Sequence, residues 1–412
     1  MVLKRKWLVF GVFGFIAGAM LLLSRSNFTN SNKAVAVFPD TVSLSKHWEK
    51  AIPHQSVPPG LSSLSAQSCG SCHTEIYKEW LQSTHAIAFQ DPQFQAEWEK
   101  DKVYVCLNCH TPLQNQQELI VTGLLDGNYL TPIAKLNPDF DAQLQTESIT
   151  CATCHVRNGR VIGTGGLSKA PHPTIKDVQF LSEKLCLGCH NAVDELTPVL
   201  VCTFETGDEW QREWASKEGK NCISCHMPET QRSIVPEGQV RLSHSHRWPG
   251  SGIPKFYGRK AEGLNGLEIK EDSVKSAYRV GEVLRYSLSL KNSFAGHKVP
   301  TGDPERFFLI NFRAVNIENK ILLEKEYRIG EQWQWYPQAK KLAENNLNPR
   351  EKRDFVFELK LKEKGKVRLE VEITRHRMSK KNAAYMGLLK VYPLSVTVFS
   401  RKYAMEVNEK EQ

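Results

Sequence analysis

The chain has 412 residues, of which 41% are hydrophobic and 24% charged, and its formal net charge is +9. This length favours two domains with additional segments, and the composition excludes an intrinsically disordered protein. Lysine and arginine are scattered, with no dense basic block beyond Lys4–Lys6. Nucleic-acid binding is therefore not expected.

An uninterrupted apolar run, from Trp7 to Leu23, follows the short basic head of the chain. The run has nearly the length of a membrane span, and no small-x-small cleavage site follows it, which favours an uncleaved signal-anchor over a cleaved signal peptide. Basic residues before the run keep that end in the cytoplasm. We predict an N-terminal transmembrane helix within residues 1–30, a linker over 31–65, and a periplasmic or otherwise extracytoplasmic location for the bulk of the chain at the cytoplasmic membrane.

Ten of the eleven cysteines fall in five copies of C-x-x-C-H, the attachment signature of c-type haem. In this chemistry the two thiols form thioethers with the porphyrin, and the following histidine binds the iron from one face. The predicted attachment residues are Cys69, Cys72, Cys106, Cys109, Cys151, Cys154, Cys186, Cys189, Cys222 and Cys225. The predicted proximal iron ligands are His73, His110, His155, His190 and His226.

Zinc binding and thioredoxin-like redox chemistry are the alternatives to haem for paired cysteines. Neither requires a histidine directly after every second cysteine. The sequence therefore predicts five covalently bound haem c groups in a domain over residues 66–255, with short helices and irregular segments wrapped around the cofactors. The eleventh cysteine, Cys202, is either a buried structural thiol or the site of an intermolecular disulfide.

The ligand on the far side of each iron decides between electron transfer and chemistry on a substrate. Eight histidines lie outside the motifs. His47 and His54 fall in the predicted linker, and His376 lies between two arginines, so these three are set aside. The remaining candidates for distal iron ligands are His85, His172, His244, His246 and His297. On a helix, side chains two positions apart diverge, so His244 and His246 would serve different haems.

Period-two alternation begins after about residue 255, in "LRYSLSL", "RFFLINFRAV", "FVFELKL" and "VRLEVEI". Such alternation over several short segments is typical of an antiparallel sandwich. We predict an antiparallel β-sandwich domain over residues 256–412 that packs on the haem domain through the loop containing His297.

Three stretches, "SCHTEIYKEWLQSTHAIAF", "CISCHMPE" followed by "SHRWPG", and "GHKVPTGDPER", resemble the multihaem cytochromes c of the cytochrome c-554 family. That family is related to the hydroxylamine oxidoreductases and the multihaem nitrite reductases. The resemblance covers roughly Ser68 to Arg306, and the C-terminal region is similar to a β domain of some members. It implies closely stacked haems with mostly bis-histidine ligation. The family patterns match at His85, His172, His246 and His297 as distal ligands and, less closely, at His244.

The chain departs from the family's enzymes, because it lacks the C-x-x-C-K motif of the nitrite reductases and has five haem motifs rather than eight. We interpret it as an electron carrier rather than an enzyme, working through bis-histidine haems between a membrane-linked donor and a periplasmic acceptor, with no catalytic residues. One alternative is an oxidoreductase that acts on nitrite, hydroxylamine or NO at a five-coordinate haem. The other is a haem subunit or scaffold of a larger respiratory complex, docked through the β-sandwich.

Overall fold

Small sheets and short helices alternate in the first part of the chain, and long strands dominate the second. The computed structural model describes residues 40–165, 169–256, 260–261, 263 and 266–410. From Asp40 onward the chain forms one compact unit. The domain boundaries predicted within this unit, near residues 65 and 255, stay predictions.

The helices of the first part have only four to ten residues each. They are α1 (Ala66–Gly70), α2 (Thr74–Leu81), α3 (Pro92–Asp101), α4 (Leu107–His110), α5 (Ala142–Thr146), α6 (Cys151–His155), α7 (Glu183–His190), α8 (Thr206–Arg212), α9 (Trp214–Lys217) and α10 (Cys222–His226). Single turns of 3-10 helix cover His47–Glu49, His85–Ile87, Tyr104–Cys106 and Gln114–Gln116.

The strands between these helices are also short. They are β1 (Thr41–Ser43), β2 (Leu119–Leu125), β3 (Pro132–Leu136), β4 (Val156–Arg157), β5 (Arg160–Gly163), β6 (Thr174–Lys176), β7 (Ala192–Thr197), β8 (Leu200–Phe204), β9 (Glu229–Ser233) and β10 (Val240–His244). They form the sheets β1-β2-β3 and β4-β5-β6 and the hairpins β7-β8 and β9-β10. This pairing satisfies backbone groups in segments that are too short for long helices.

The second part of the chain contains two facing sheets. Its elements are β11 (Leu267–Glu271), β12 (Ala277–Arg279), β13 (Val283–Asn292), β14 (Phe307–Asn316), β15 (Ile321–Ile329), β16 (Gln332–Gln334), β17 (Lys340–Ala343), β18 (Lys352–Lys360), β19 (Gly365–His376), α11 (Lys380–Tyr385) and β20 (Ser395–Asn408). One sheet has the order β11-β13-β18 and the other β12-β20-β19-β14-β15, and β16-β17 is a separate hairpin.

The core of the second part lies between its two sheets. Tyr286 on β13 and Phe357 on β18 pack against Phe312 on β14, with ring centroids 5.8 and 5.9 Å apart. All three side chains are fully buried and belong to one continuous apolar cluster. The alternating residues of β13 lie in this cluster because one face of a strand takes every second side chain.

The fold class predicted from the sequence is wrong. The first part is not merely helical and irregular, since its segments pair into four small sheets and hairpins. The second part is not wholly antiparallel, since β12 pairs parallel with β20, and in the first part β5 pairs parallel with β6.

The predicted localisation is corrected as well, together with the transmembrane helix on which it depends. Within the described residues, no helix is long and apolar enough to cross a membrane. The single-pass anchor was predicted for residues 1–30, which lie outside the described residues.

The loop between β13 and β14 joins the two parts of the chain. Thr301 donates a hydrogen bond to Glu209 on α8 at 2.7 Å, and the backbone N–H of Lys298 donates to the same carboxylate at 3.2 Å. Gly296 lies so close to Ala215 that a Cβ atom at position 296 would be 2.3 Å from the alanine Cβ. Only glycine permits this approach, and it brings His297 to the first part of the chain.

Candidate functional site

The five C-x-x-C-H motifs lie on or beside short helices that present their cysteines on one face. The helices α4, α6, α7 and α10 each end at the motif histidine, and α1 ends within the first motif. Residues three apart on a helix face the same way, so both thiols of a motif point towards one ligand. Asn221 caps α10 by accepting a hydrogen bond from the backbone N–H of Ser224 at 3.0 Å.

Cysteines of different motifs lie next to one another. The thiol of Cys69 lies close enough to that of Cys151 to influence it, and the same holds for Cys109 with Cys189 and for Cys186 with Cys222. Cys154 interacts electrostatically with Cys186. These contacts connect the first motif to the third, the third to the fourth, and the fourth to both the second and the fifth.

Among the described residues, no group of three or more His, Cys, Asp or Glu side chains is arranged to hold a metal ion. Instead, the histidine rings form pairs. In four places a motif histidine faces a histidine from outside the motifs. The pairs and their ring-centroid distances are His73 with His172 at 6.5 Å, His190 with His85 at 6.4 Å, His155 with His246 at 6.1 Å, and His226 with His297 at 6.1 Å.

This separation fits an iron atom between two imidazoles. With metal–nitrogen bonds of about 2.0 Å and a ring centroid about 1.2 Å behind each nitrogen, the two centroids would be roughly 6.4 Å apart. The four observed distances bracket that value. The residues therefore fit haem attached at the motif cysteines with a histidine on each face.

Hydrogen bonds at Nδ1 orient several of these rings. A backbone carbonyl can only accept, so Nδ1 must carry the proton and Nε2 is left to bind a metal. The bonds run from His73 to Ile234 at 2.9 Å, from His110 to Ala88 at 2.6 Å, from His155 to Ile162 at 2.8 Å, from His246 to His244 at 2.9 Å, and from His297 to Lys298 at 2.8 Å.

Burial also favours the neutral form of several paired rings, which is the form that binds metals. It lowers the pKa of His85 to about 3, where the nearby His190 adds to the effect, and the pKa values of His246 and His297 to about 4. Burial lowers the pKa of His190 to about 4, and the nearby Arg306 guanidinium adds to this shift.

The His110 site differs from the other four. Within the described part of the chain, no second imidazole forms a ring pair with His110. Its ring is stacked on Phe94, with centroids 3.8 Å apart and an interplanar angle of 14°. Phe94 also stacks with Trp98, with ring centroids 6.2 Å apart. Among the described residues, the second motif therefore lacks the histidine pair of the other four, and its histidine packs on an aromatic cluster.

The other candidate residues are placed as follows. His244, predicted as a distal ligand, forms no such pair among the described residues and donates from Nδ1 to the Met227 carbonyl at 2.8 Å. His47 and His54 are exposed, and His376 is stacked on Phe307 at 4.5 Å. Cys202 lies in β8 and packs against an apolar cluster, where burial raises its pKa to about 11.

The sequence did not indicate two residues that hold the His246 segment. Glu79 on α2 accepts a hydrogen bond from the backbone N–H of His246 at 2.8 Å, and Arg232 on β9 pairs with Glu79. These residues are 153 positions apart, and neither lies in a haem motif. No local pattern could have indicated their contact.

Comparisons with known proteins agree with this geometry. The family model for cytochrome c554 and c-prime matches residues 68–127. The structure is similar to a penta-haem cytochrome c552 from Thermochromatium tepidum, with a TM-score of 0.58, 16% sequence identity, and coverage of 84% of this chain and 100% of that chain. A CARDB domain from Pyrococcus furiosus covers 35% of this chain and 92% of its own at 14% identity, but its TM-score of 0.20 carries no structural conclusion. No curated protein matches.

The family-model match supports covalent haem attachment within residues 68–127, and the similarity to the penta-haem cytochrome supports the fold. The predicted relation to hydroxylamine oxidoreductases, and the likeness of the C-terminal region to a β domain of the cytochrome c-554 family, stay predictions.

Proposed function

We propose that the chain is a pentahaem electron carrier in which four haem irons have histidine on both faces. The observation that carries the proposal is the set of four histidine pairs, each joining a motif histidine to one from outside the motifs, at 6.1 to 6.5 Å. His85, His172, His246 and His297 are the proposed distal ligands, and His244 is left out.

Haem iron with two histidine ligands supplies a one-electron couple whose coordination geometry changes little with oxidation state. The polypeptide supplies the imidazole ligands and sets the order of the haem sites. The four pairs of imidazoles would hold the haem irons from both sides and exclude water from them. The contacts between cysteines of different motifs support a continuous path from the first motif through the third and fourth to the fifth, with the second branching from the fourth.

The path needs a donor at one end and an acceptor at the other, both of which are separate redox partners. The thiols of Cys72 in the first motif and Cys225 in the fifth are exposed, whereas the other motif cysteines are partly buried. This exposure supports electron entry and exit at the first and fifth haems, which lie at opposite ends of the proposed path.

Electron paramagnetic resonance of the oxidised protein, with haem content measured as the pyridine haemochrome, tests the proposal. We expect five haems per chain and a low-spin signal that integrates to four of them. A mass equal to that of the bare polypeptide, or a predominantly high-spin spectrum in freshly purified protein, would contradict it.

One specific observation favours a second candidate function, the reduction or oxidation of a small nitrogen compound at the second haem. Among the described residues, His110 forms no ring pair with a second imidazole, whereas each of the other four motif histidines does. An iron bound only by His110 would leave one coordination position for nitrite, hydroxylamine or NO.

Ligand addition distinguishes this candidate from a pure carrier. We expect the dithionite-reduced protein to bind one carbon monoxide per chain, and nitrite or hydroxylamine to change the residual high-spin ferric signal. Steady-state turnover with one of these compounds would favour the enzyme, whereas ligand binding without turnover would favour the carrier. Absence of any carbon monoxide binding would contradict a five-coordinate second haem.

A further inference from the structure

A bidentate ion pair ties α2 to the β9-β10 hairpin. Arg232 Nη1 donates to Glu79 Oε1 at 2.7 Å, and Arg232 Nη2 donates to Glu79 Oε2 at 3.0 Å. The side chains retain only 14% and 27% of their exposure, respectively. Two parallel charge-assisted hydrogen bonds in partial burial give such a pair a defined geometry, which a single exposed ion pair lacks.

The same two side chains fix the backbone on both sides of Ser245. Glu79 Oε2 accepts a hydrogen bond from the backbone N–H of His246 at 2.8 Å. Arg232 Nη2 donates to the carbonyl of His244 at 2.5 Å. The Nδ1–H of His246 donates to that same carbonyl at 2.9 Å. The ion pair thus holds the main chain of His246 through Glu79. It holds the ring indirectly, because Arg232 and the His246 ring both donate to the His244 carbonyl oxygen.

We infer that the Glu79–Arg232 ion pair is a positioning unit that holds His246 on the iron of the third haem. This inference rests on the proposed bis-histidine ligation. With Nδ1 bound to the His244 carbonyl, Nε2 of His246 faces His155, and the ring centroids are 6.1 Å apart. Outer hydrogen bonds of this kind set the tautomer and the orientation of ligating imidazoles.

The electrostatics of Glu79 agree with this role. Burial acts to raise the pKa of Glu79, but hydrogen bonds from Arg232 and from the His246 backbone hold it below its usual value. The hydrogen bonds that hold the Glu79 carboxylate are thus the same ones that hold the segment containing His246.

The pair also connects two haem sites. The helix α2 starts at Thr74, directly after the proximal ligand His73, and carries Glu79. Ile234, the residue after β9, accepts the Nδ1–H of His73 at 2.9 Å. One hairpin therefore orients a ligand of the first haem through Ile234 and a ligand of the third through Arg232.

The test compares holoprotein of the full chain carrying Glu79→Ala or Arg232→Ala with the parent protein. We expect each variant to bind one more carbon monoxide per chain when reduced than the parent binds, and to lose one low-spin haem from the oxidised spectrum. Arg232→Lys keeps the positive charge but cannot make two parallel hydrogen bonds to Glu79. We therefore expect only part of the low-spin signal of one haem to be lost. Glu75→Ala is the matched control, because Glu75 lies on the same helix in an exposed pair with Lys78, and we expect no change.

His246→Gly provides the reference spectrum for loss of the ligand itself. Added imidazole should restore its low-spin signal, and it should do the same for Glu79→Ala if that variant only misplaces His246. Unchanged carbon monoxide binding and spin state in Glu79→Ala, with five haems retained, would overturn the inference while leaving bis-histidine ligation intact. A parent protein whose third haem already binds carbon monoxide would instead overturn the proposed function.

Glu79→Gln gives an independent measurement if the alanine variants incorporate too little haem. The amide oxygen still accepts from the His246 backbone, but the charge is gone. We expect five haems and an upward shift of one midpoint potential in spectroelectrochemistry. Five potentials identical to those of the parent would overturn the inference.

Discussion

A buried ion pair between Asp91 and Lys255 joins the start of α3 to the segment after the last haem motif. Both side chains are at most 15% exposed. The carboxylate also accepts a hydrogen bond from the Tyr392 hydroxyl at 2.6 Å, and it caps α3 by accepting from the backbone N–H of Gln93 at 3.2 Å. One carboxylate therefore satisfies a buried cation, a buried phenol and a helix N-terminus.

Asp91→Ala should destabilise the holoprotein strongly. Leaving a buried Lys255 without its partner costs about 3–5 kcal/mol, and loss of an N-cap alone costs about 1 kcal/mol. We expect a total loss of about 4–6 kcal/mol, measured as a lower midpoint in guanidinium denaturation of the holoprotein. Asp141→Ala is the matched control, because Asp141 also caps a short helix, by accepting from the backbone N–H of Leu144 at 2.9 Å, and we expect it to cost about 1 kcal/mol.

The pH dependence provides a second measure of the same pair. Burial acts to raise the pKa of Asp91, but Lys255 and the Tyr392 hydroxyl hold it below the ordinary value of 3.8. Because the folded pKa is the lower one, the stabilisation is complete well above 3.8 and is lost as pH falls through the folded pKa. Asp91→Ala should remove this part of the acid sensitivity. A loss no larger than that of Asp141→Ala, with an unchanged acid profile, would refute the reasoning.

Three further predictions follow from the site and the core. His297→Ala should open one axial position opposite His226, so the reduced variant should bind one more carbon monoxide than the parent; an unchanged count would argue against His297 as a ligand. Arg306→Gln removes a cation close to His190, so spectroelectrochemistry should show one midpoint potential lowered, and a raised potential would contradict this placement of charge. Phe312→Ala should cost about 3–5 kcal/mol in denaturant titration, because the side chain is fully buried between two sheets; a loss under about 1 kcal/mol would mean that the cavity collapses.

The haem-attachment residues could be predicted from the sequence because the two thiols and the histidine of one site lie within five consecutive residues. The positions of β13, β14, β18 and β19 could also be predicted, because a strand with one buried face has an apolar side chain at every second position. It could not reveal the parallel pairing of β12 with β20, because these strands are far apart in the chain. The small sheets of the first part were missed because strands of two to seven residues carry little periodicity.

The pairing of histidines was beyond sequence reasoning for a different reason. His172 could be nominated from its proline-bracketed loop, but its contact with His73 depends on the whole fold between them. His244 and His246 have nearly the same local sequence, and only the hydrogen bonds of Arg232 and Glu79 distinguish them. Lone phenylalanines in helices are common, so nothing in the sequence indicated that Phe94 would stack on His110.

The position of His297 in the loop between β13 and β14 has a consequence for how the protein matures. Iron bound by both His226 and His297 would cross-link the chain across a loop of about 70 residues, and such closures resemble disulfides in restricting the unfolded state. The second ligand reaches the fifth site only after the strands that support its loop have been synthesised and paired. A fragment that ends at the last C-x-x-C-H motif would therefore carry every attachment cysteine, but it would lack His246 as well as His297 and leave the third and fifth haems without their second histidines.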